Sequence, residues 1–363
     1  MTAPERQLPT RKSSPERPDP VSHLLKGNAL NRLSLHSAVA ALVVPAAAVA
    51  AVAIAGAAPA SASAASRPVV TGVHTVASFD YATGQQPESV TVNPDRSLTV
   101  SMLGFFTGSP GELLHVSPSG QQTVLVTGNA GEAISGNVRG HDGSIYYNMI
   151  SADPARSGIW RIPPGGAPER IAATPGAFLN GLTIDPVTQT LYSCDSQTGT
   201  IWSVPASGGT ATQWLTSPTL APAQSGPGHI GANGVEFHQG AVWVSNTDKG
   251  TLLRIPVTPA GAPGPVQVAA SGLPSIDDFK FLSARSGIVF AALNGQDEVA
   301  VVYPDGRSRV ALTAADGLAF PSDTYISGNR LYIADSGRLA PHDSKLQEAR
   351  IDLGALYAGP GNE

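Results

Sequence analysis

Residues 180–215 read NGLTIDPVTQTLYSCDSQTGTIWSVPASGGTATQWL, four short strand-like pieces in a row. The pieces are Gly181 to Ile184, Leu191 to Cys194, Thr200 to Val204 and Thr210 to Leu215, with turn chemistry at Asp185-Pro186 and Ser207-Gly208-Gly209. Working outward, the first piece recurs with a polar head as Glu88-Ser-Val-Thr-Val, Asn233-Gly-Val-Glu-Phe and Asp277-Asp-Phe-Lys-Phe. The second recurs as Leu98 to Leu103, Ile145 to Ile150, Val242 to Asn246, Ile288 to Leu293 and Leu331 to Asp335. Six copies begin near 88, 135, 180, 233, 277 and 322. A four-strand unit repeating every ~45 residues is the signature of a propeller blade or a solenoid unit.

The sixth copy runs out after its third strand, while Val73 to Phe79 is a strand with no repeat in front of it. The economical arrangement is an all-β, six-bladed β-propeller over residues 71–356, in which the N-terminal strand completes the last blade and leaves no open sheet edge. A solenoid would not need that stray strand.

Upstream, Ala38 to Ala58 is almost wholly apolar, preceded by Lys26 and Arg32 and followed by the small-residue run Ala60-Ser61-Ala62-Ser63-Ala64. That pattern predicts a secretory signal peptide over 34–64, hence a secreted domain, with an uncleaved anchor as the alternative. Residues 1–33, rich in Pro, Ser and charge, are expected to be disordered or an over-extended leader. Cleavage after Ala64 removes six of the 22 basic and three of the 27 acidic residues, leaving 16 against 24 and a net charge of −8. Such a surface repels phosphate backbones and excludes a nucleic-acid partner. A lone cysteine, Cys194, permits no intrachain disulfide and reads as a small buried residue. The mature chain is expected to be a monomer acting on a small molecule, with no stable membrane span.

In a propeller the start of each innermost strand points at the central channel. The heads there are Glu88, Asn180, Asn233, Asp277 and Ser322, with Gly136 or Asn137 in the second copy. Two carboxylates and two amide carbonyls supply oxygen donors and a charge of minus two, which suits calcium or another divalent cation. Polar strand heads solvating a wet channel are the plainer alternative. No His-rich or Cys-rich spacing suggests zinc. His229, four residues before Asn233, is a candidate general acid or base, or else a loop histidine held by a backbone carbonyl. Asp278, next to Asp277, is expected to alternate away from the channel. Phe105, Phe106 and Met102 are candidates for an apolar mouth.

Pro87-Glu88-Ser89, the Asn-Gly pairs at 180 and 233, and Asp277 resemble the senescence-marker/gluconolactonase (regucalcin-like) family, and more distantly the paraoxonases and the diisopropyl-fluorophosphatase type of phosphotriesterase. The resemblance spans residues 71–356. It implies a calcium-dependent hydrolase of lactones or related esters, with Glu88, Asn233 and Asp277 holding the metal and Asn180 touching metal or substrate. In that reading the metal polarises the carbonyl and Asp277 orients or deprotonates water. Where the sugar lactonases carry an arginine two residues before the third-blade asparagine, this chain has Phe178, which points to a more apolar substrate. A non-catalytic binding propeller and a cyclase of a biosynthetic intermediate are the competing readings.

Overall fold

The computed structural model describes residues 67–358, so the expected leader (1–33) and signal peptide (34–64) lie outside the described residues. Among the described residues, 24 strands form six four-stranded antiparallel sheets, a six-bladed β-propeller. Five sheets are single repeats in chain order; in the third blade the order is Leu179–Ile184, Thr190–Asp195, Thr200–Pro205 and Thr212–Thr216. The sixth takes Pro321–Ser327, Arg330–Asp335 and Lys345–Ile351, and its fourth strand is Val70–Ser78. Val70 stands opposite Ile351 and Ser78 opposite Lys345. No helix among the described residues is long and apolar enough to cross a membrane.

Apolar side chains meet between blades. Tyr192, Cys194 and Ile201 of blade three pack on Val235, Val242 and Val244 of blade four, and each neighbouring pair shares a similar core. Cys194 is fully buried there as a small core residue.

Each innermost strand carries one extra residue relative to its partner, always near its start. The irregularities fall between Pro87 and Ser89, Ile134 and Asn137, Leu179 and Leu182, Ala232 and Val235, Ile276 and Phe279, and Pro321 and Asp323. A bulge leaves the extra residue unpaired and re-aims the side chains beside it. In blades two, three and four one of the bulged residues is glycine, because there is no room for a side chain. A Cβ at Gly136 would stand 2.5 Å from the Asn180 carbonyl oxygen; one at Gly181 would stand 2.6 Å from the Asn233 carbonyl oxygen. The polar head therefore comes with a glycine for reasons of packing.

Because the obstructing atoms are backbone atoms of the next blade, Gly181→Ala is expected to lower stability by about 1–3 kcal/mol, as overpacking of a close contact does. Urea unfolding checks this: an unchanged midpoint would mean that the blades do not touch there as described.

Candidate functional site

The bulges deliver their side chains to one end of the channel. Glu88, Asn180, Asn233, Asp277 and Ser322 all line a single cavity. The structure corrects the second copy: its head is Ser135, which lines the cavity, while Gly136 is the packing glycine and Asn137 is turned to Ser89 and Ser101. Phe178 lines the cavity with Phe105, Phe106, Leu103, Ile150, Ile230 and Phe320. The Phe105 and Phe106 rings lie 4.3 Å apart between centroids, tilted 45° to one another, and Phe178 meets Phe105 edge-on at 6.3 Å. Met102, offered as part of this mouth, is instead fully buried in the core between blades six and one.

The heads of blades three, four and five are each tied to the residue just past the second strand of their own blade. Asn180 Nδ2 donates to Ser196 Oγ (3.3 Å), Asn233 Nδ2 to Thr247 Oγ1 (2.9 Å), and Asn294 Nδ2 donates to Asp277 Oδ2 (2.8 Å). Asn233 Nδ2 also donates to Asp277 Oδ1 (2.5 Å), so each Asp277 oxygen accepts one amide N–H. In blade one the residue past the second strand is Leu103, which has nothing to offer Glu88. Among the described residues no group hydrogen bonds to the Glu88 carboxylate, nor to the side-chain oxygens of Asn180 and Asn233.

Burial dominates the electrostatics. It pushes Asp277 up to about 7, against the hydrogen bonds of Asn294 and Asn233 and the charge of Arg338. Glu88 is raised well above the usual carboxylate range by burial and then by Asp277 and Asp323, with Arg338 pulling the other way. A second, smaller void deeper in the channel is lined by Asp278, Asp323, Lys280 and Glu236. Asp278 thus does not alternate away from the channel: the bulge between Ile276 and Phe279 suspends strand alternation, and burial with Asp323 and Asp277 raises its pKa strongly. Lys280 Nζ bonds Glu236 Oε2 at 2.7 Å and lies 4.6 Å from the centroid of the Tyr325 ring.

His229 is not where a catalytic base would need to be. It lines neither this cavity nor the adjoining cleft, and its Nδ1 pairs with Asp248 Oδ2 at 2.9 Å rather than with a backbone carbonyl. Gly226-Pro227-Gly228 turns the loop so that Ile230, not His229, reaches the site.

As to a metal, no three His, Cys, Asp or Glu side chains gather as a site among the described residues. The donor chemistry nonetheless suits a hard cation. The amide nitrogens of Asn180 and Asn233 are engaged while their oxygens are not, and Glu88 has no donor of its own. With Asp277, those groups would be the ones to hold it.

No family model matches this chain, and no curated protein matches it in sequence. Solved structures do share its shape. An auxiliary nutrient binding protein from Bacteroides ovatus is 12% identical over 78% of this chain and 76% of its own, with a TM-score of 0.60. Regucalcin, a calcium-binding protein from Agrobacterium tumefaciens, is 18% identical over 76% and 92%, with a TM-score of 0.57. A protein named as a gluconolactonase is 17% identical over 77% and 92%, with a TM-score of 0.56. At these identities the likeness is one of fold.

Besides Ser135, the cavity residues without a place in the sequence analysis include Asn294, Phe320 and Arg338, in that order along the chain. A signal existed for Asn294. Residues just past the second strands, Leu103, Ser151, Ser196, Thr247, Asn294 and Ser336, form a second ring at blade spacing. Arg338 lies two residues beyond its ring position, in a loop with no counterpart, and had no such signal.

Asp277, Asp323 and Asp335 are each raised to about 7 by burial on folding. The folded state therefore keeps protons that the unfolded chain, with carboxylates near ~4, releases. The stabilisation is full below about pH 4 and lost as pH rises through about 7. His238, lowered by burial, acts oppositely below ~6.5, one group against three. In chelator, the melting temperature is expected to fall from about pH 5 to about pH 8; a flat or rising profile would contradict burial of these acids.

Proposed function

We propose that this chain is a secreted, calcium-dependent hydrolase of a lactone or related ester whose acyl part is more apolar than a sugar acid. One observation carries the reading: Glu88, Asn180, Asn233 and Asp277 line one cavity, and the side-chain oxygens of the first three have no protein partner, beside a wall of phenyl rings. An unsatisfied carboxylate half-withdrawn from water is costly unless a cation or ligand meets it. The apolar segment and small-residue run before residue 65 support export. The family resemblance of the four heads supports the substrate class.

Calcium, when bound, would act as a Lewis acid towards the carbonyl oxygen. The chain's own residues do the rest. Phe105, Phe106 and Phe178 take up the apolar part of the substrate and keep water from it. Asn233 and Asn294 fix the Asp277 carboxylate by one N–H on each oxygen, which leaves a lone pair on each for a water proton. Asp277 orients that water and takes the proton as it adds to the carbonyl carbon. The C–O bond to the alcohol then breaks and the proton held by Asp277 passes to the departing oxygen, giving a carboxylic acid and an alcohol and restoring the Asp277 carboxylate.

A non-catalytic binding propeller is the second reading, and the position of His229 outside the cavity favours it. Activity separates the two. The full-length chain should hydrolyse members of a panel of lactones and aryl esters, with kcat lowered by about 10²-fold or more in chelator and in Asp277→Asn. Glu88→Gln should also abolish the rise in melting temperature on adding calcium. Rates and melting curves indifferent to chelator and to both substitutions would sink the metal-hydrolase reading.

A further inference from the structure

Arg338 has no counter-charge. Its side chain lines both the cavity and the adjoining cleft of Thr247, Asp248 and Phe320, yet among the described residues it makes no ion pair and no side-chain hydrogen bond. Among the described residues three other arginines lack an acceptor: Arg96, Arg285 and Arg350. All three are exposed, where water serves them, whereas Arg338 is half-buried. Lys249, the other cation of the cleft, is engaged by the Pro218 carbonyl.

The guanidinium is nevertheless fixed. Its central carbon lies 4.3 Å from the centroid of the Phe106 ring and 5.6 Å from that of Phe320. A phenyl ring attracts the cation but accepts no conventional hydrogen bond, so the guanidinium keeps N–H donors for another partner. Glu88 and Asp277 feel its charge, but neither comes within ion-pair distance, so it is not their partner. A planar fork of donors, preset by two rings and unfilled by the protein, matches one carboxylate bidentately. A phosphate dianion fits less well, since one guanidinium would have to offset two charges near Glu88 and Asp277.

We infer that Arg338 is a specificity residue that receives a carboxylate on the substrate. This rests on the hydrolase reading and narrows it: the substrate is an ester or lactone with an apolar body and a remote carboxylate. The reacting carbonyl lies at the oxygen heads, the body along Phe105, Phe106 and Phe178, and the carboxylate at Arg338.

The test pairs two esters of equal length, the mono-4-nitrophenyl ester of adipic acid and neutral 4-nitrophenyl hexanoate, on the full-length chain with calcium. The wild type is expected to favour the carboxylated ester by about tenfold or more in kcat/KM, mostly through KM, as a charged hydrogen-bonded pair provides. Arg338→Met should bring that ratio to about one, and Arg338→Lys should restore only part of it. An equal ratio in wild type and Arg338→Met overturns the inference and leaves the hydrolase reading standing. If neither ester is cleaved, calorimetric titration with 4-phenylbutyrate and with its primary amide decides. Binding of the acid tighter by about tenfold, lost in Arg338→Met, supports the inference; equal or undetectable binding of both overturns it.

Discussion

Six innermost strands have to pass one another at backbone distance around one axis, and most of what is distinctive in this molecule follows from that crowding. At Gly136, Gly181 and Gly234 a single added carbon would fall within 3 Å of the next blade's atoms. The bulge beside each of these glycines turns a polar residue towards the channel. Packing and chemistry thus share the same few positions, and the Asn-Gly pairs are half structural and half functional.

The same crowding wires the heads together. Asn180 donates to Ser196, whose hydroxyl donates to the Ala232 carbonyl of the next blade; Asn233 donates to Thr247, whose hydroxyl donates to the Ile276 carbonyl. These relays orient the amide nitrogens and leave the oxygens over. Leu103 interrupts the pattern in blade one, so the one acidic head without a hydrogen-bond donor is Glu88. Its neighbours Asp277 and Asp323 make that isolation costlier. The unpartnered carboxyl group on which the proposed cation would rest is therefore traceable to one leucine where other blades have a polar side chain.

Much of this was legible in the sequence. The repeat was, because each blade must bury its faces against two neighbours and so keeps the same alternation of strand and turn. Glu88, Asn180, Asn233, Asp277 and Phe178 were legible as cavity residues for the same reason: they occupy or flank a repeated position. What escaped depends on local departures from the repeat. Simple alternation sends Asp278 outward, and only the bulge brings it back to the channel. The apolar pair that aligned the other blades shifted the second by one or two residues, hiding Ser135. Sequence proximity to Asn233 suggested His229, but Asp248 holds it at the rim. Arg338 belongs to an irregular loop, where no periodicity exists to read.

The phenyl rings of the cavity belong to none of the six cores between blades. Phe105, Phe106 and Phe178 rest on Leu103, Ala133 and Ile150 as a separate small cluster. Substitutions in that cluster change the shape offered to a ligand without disturbing the joints between blades, whereas a change at a head glycine disturbs both. Selection for a different ligand would find its freedom in these six residues and could leave the ring of oxygens beside them as it is.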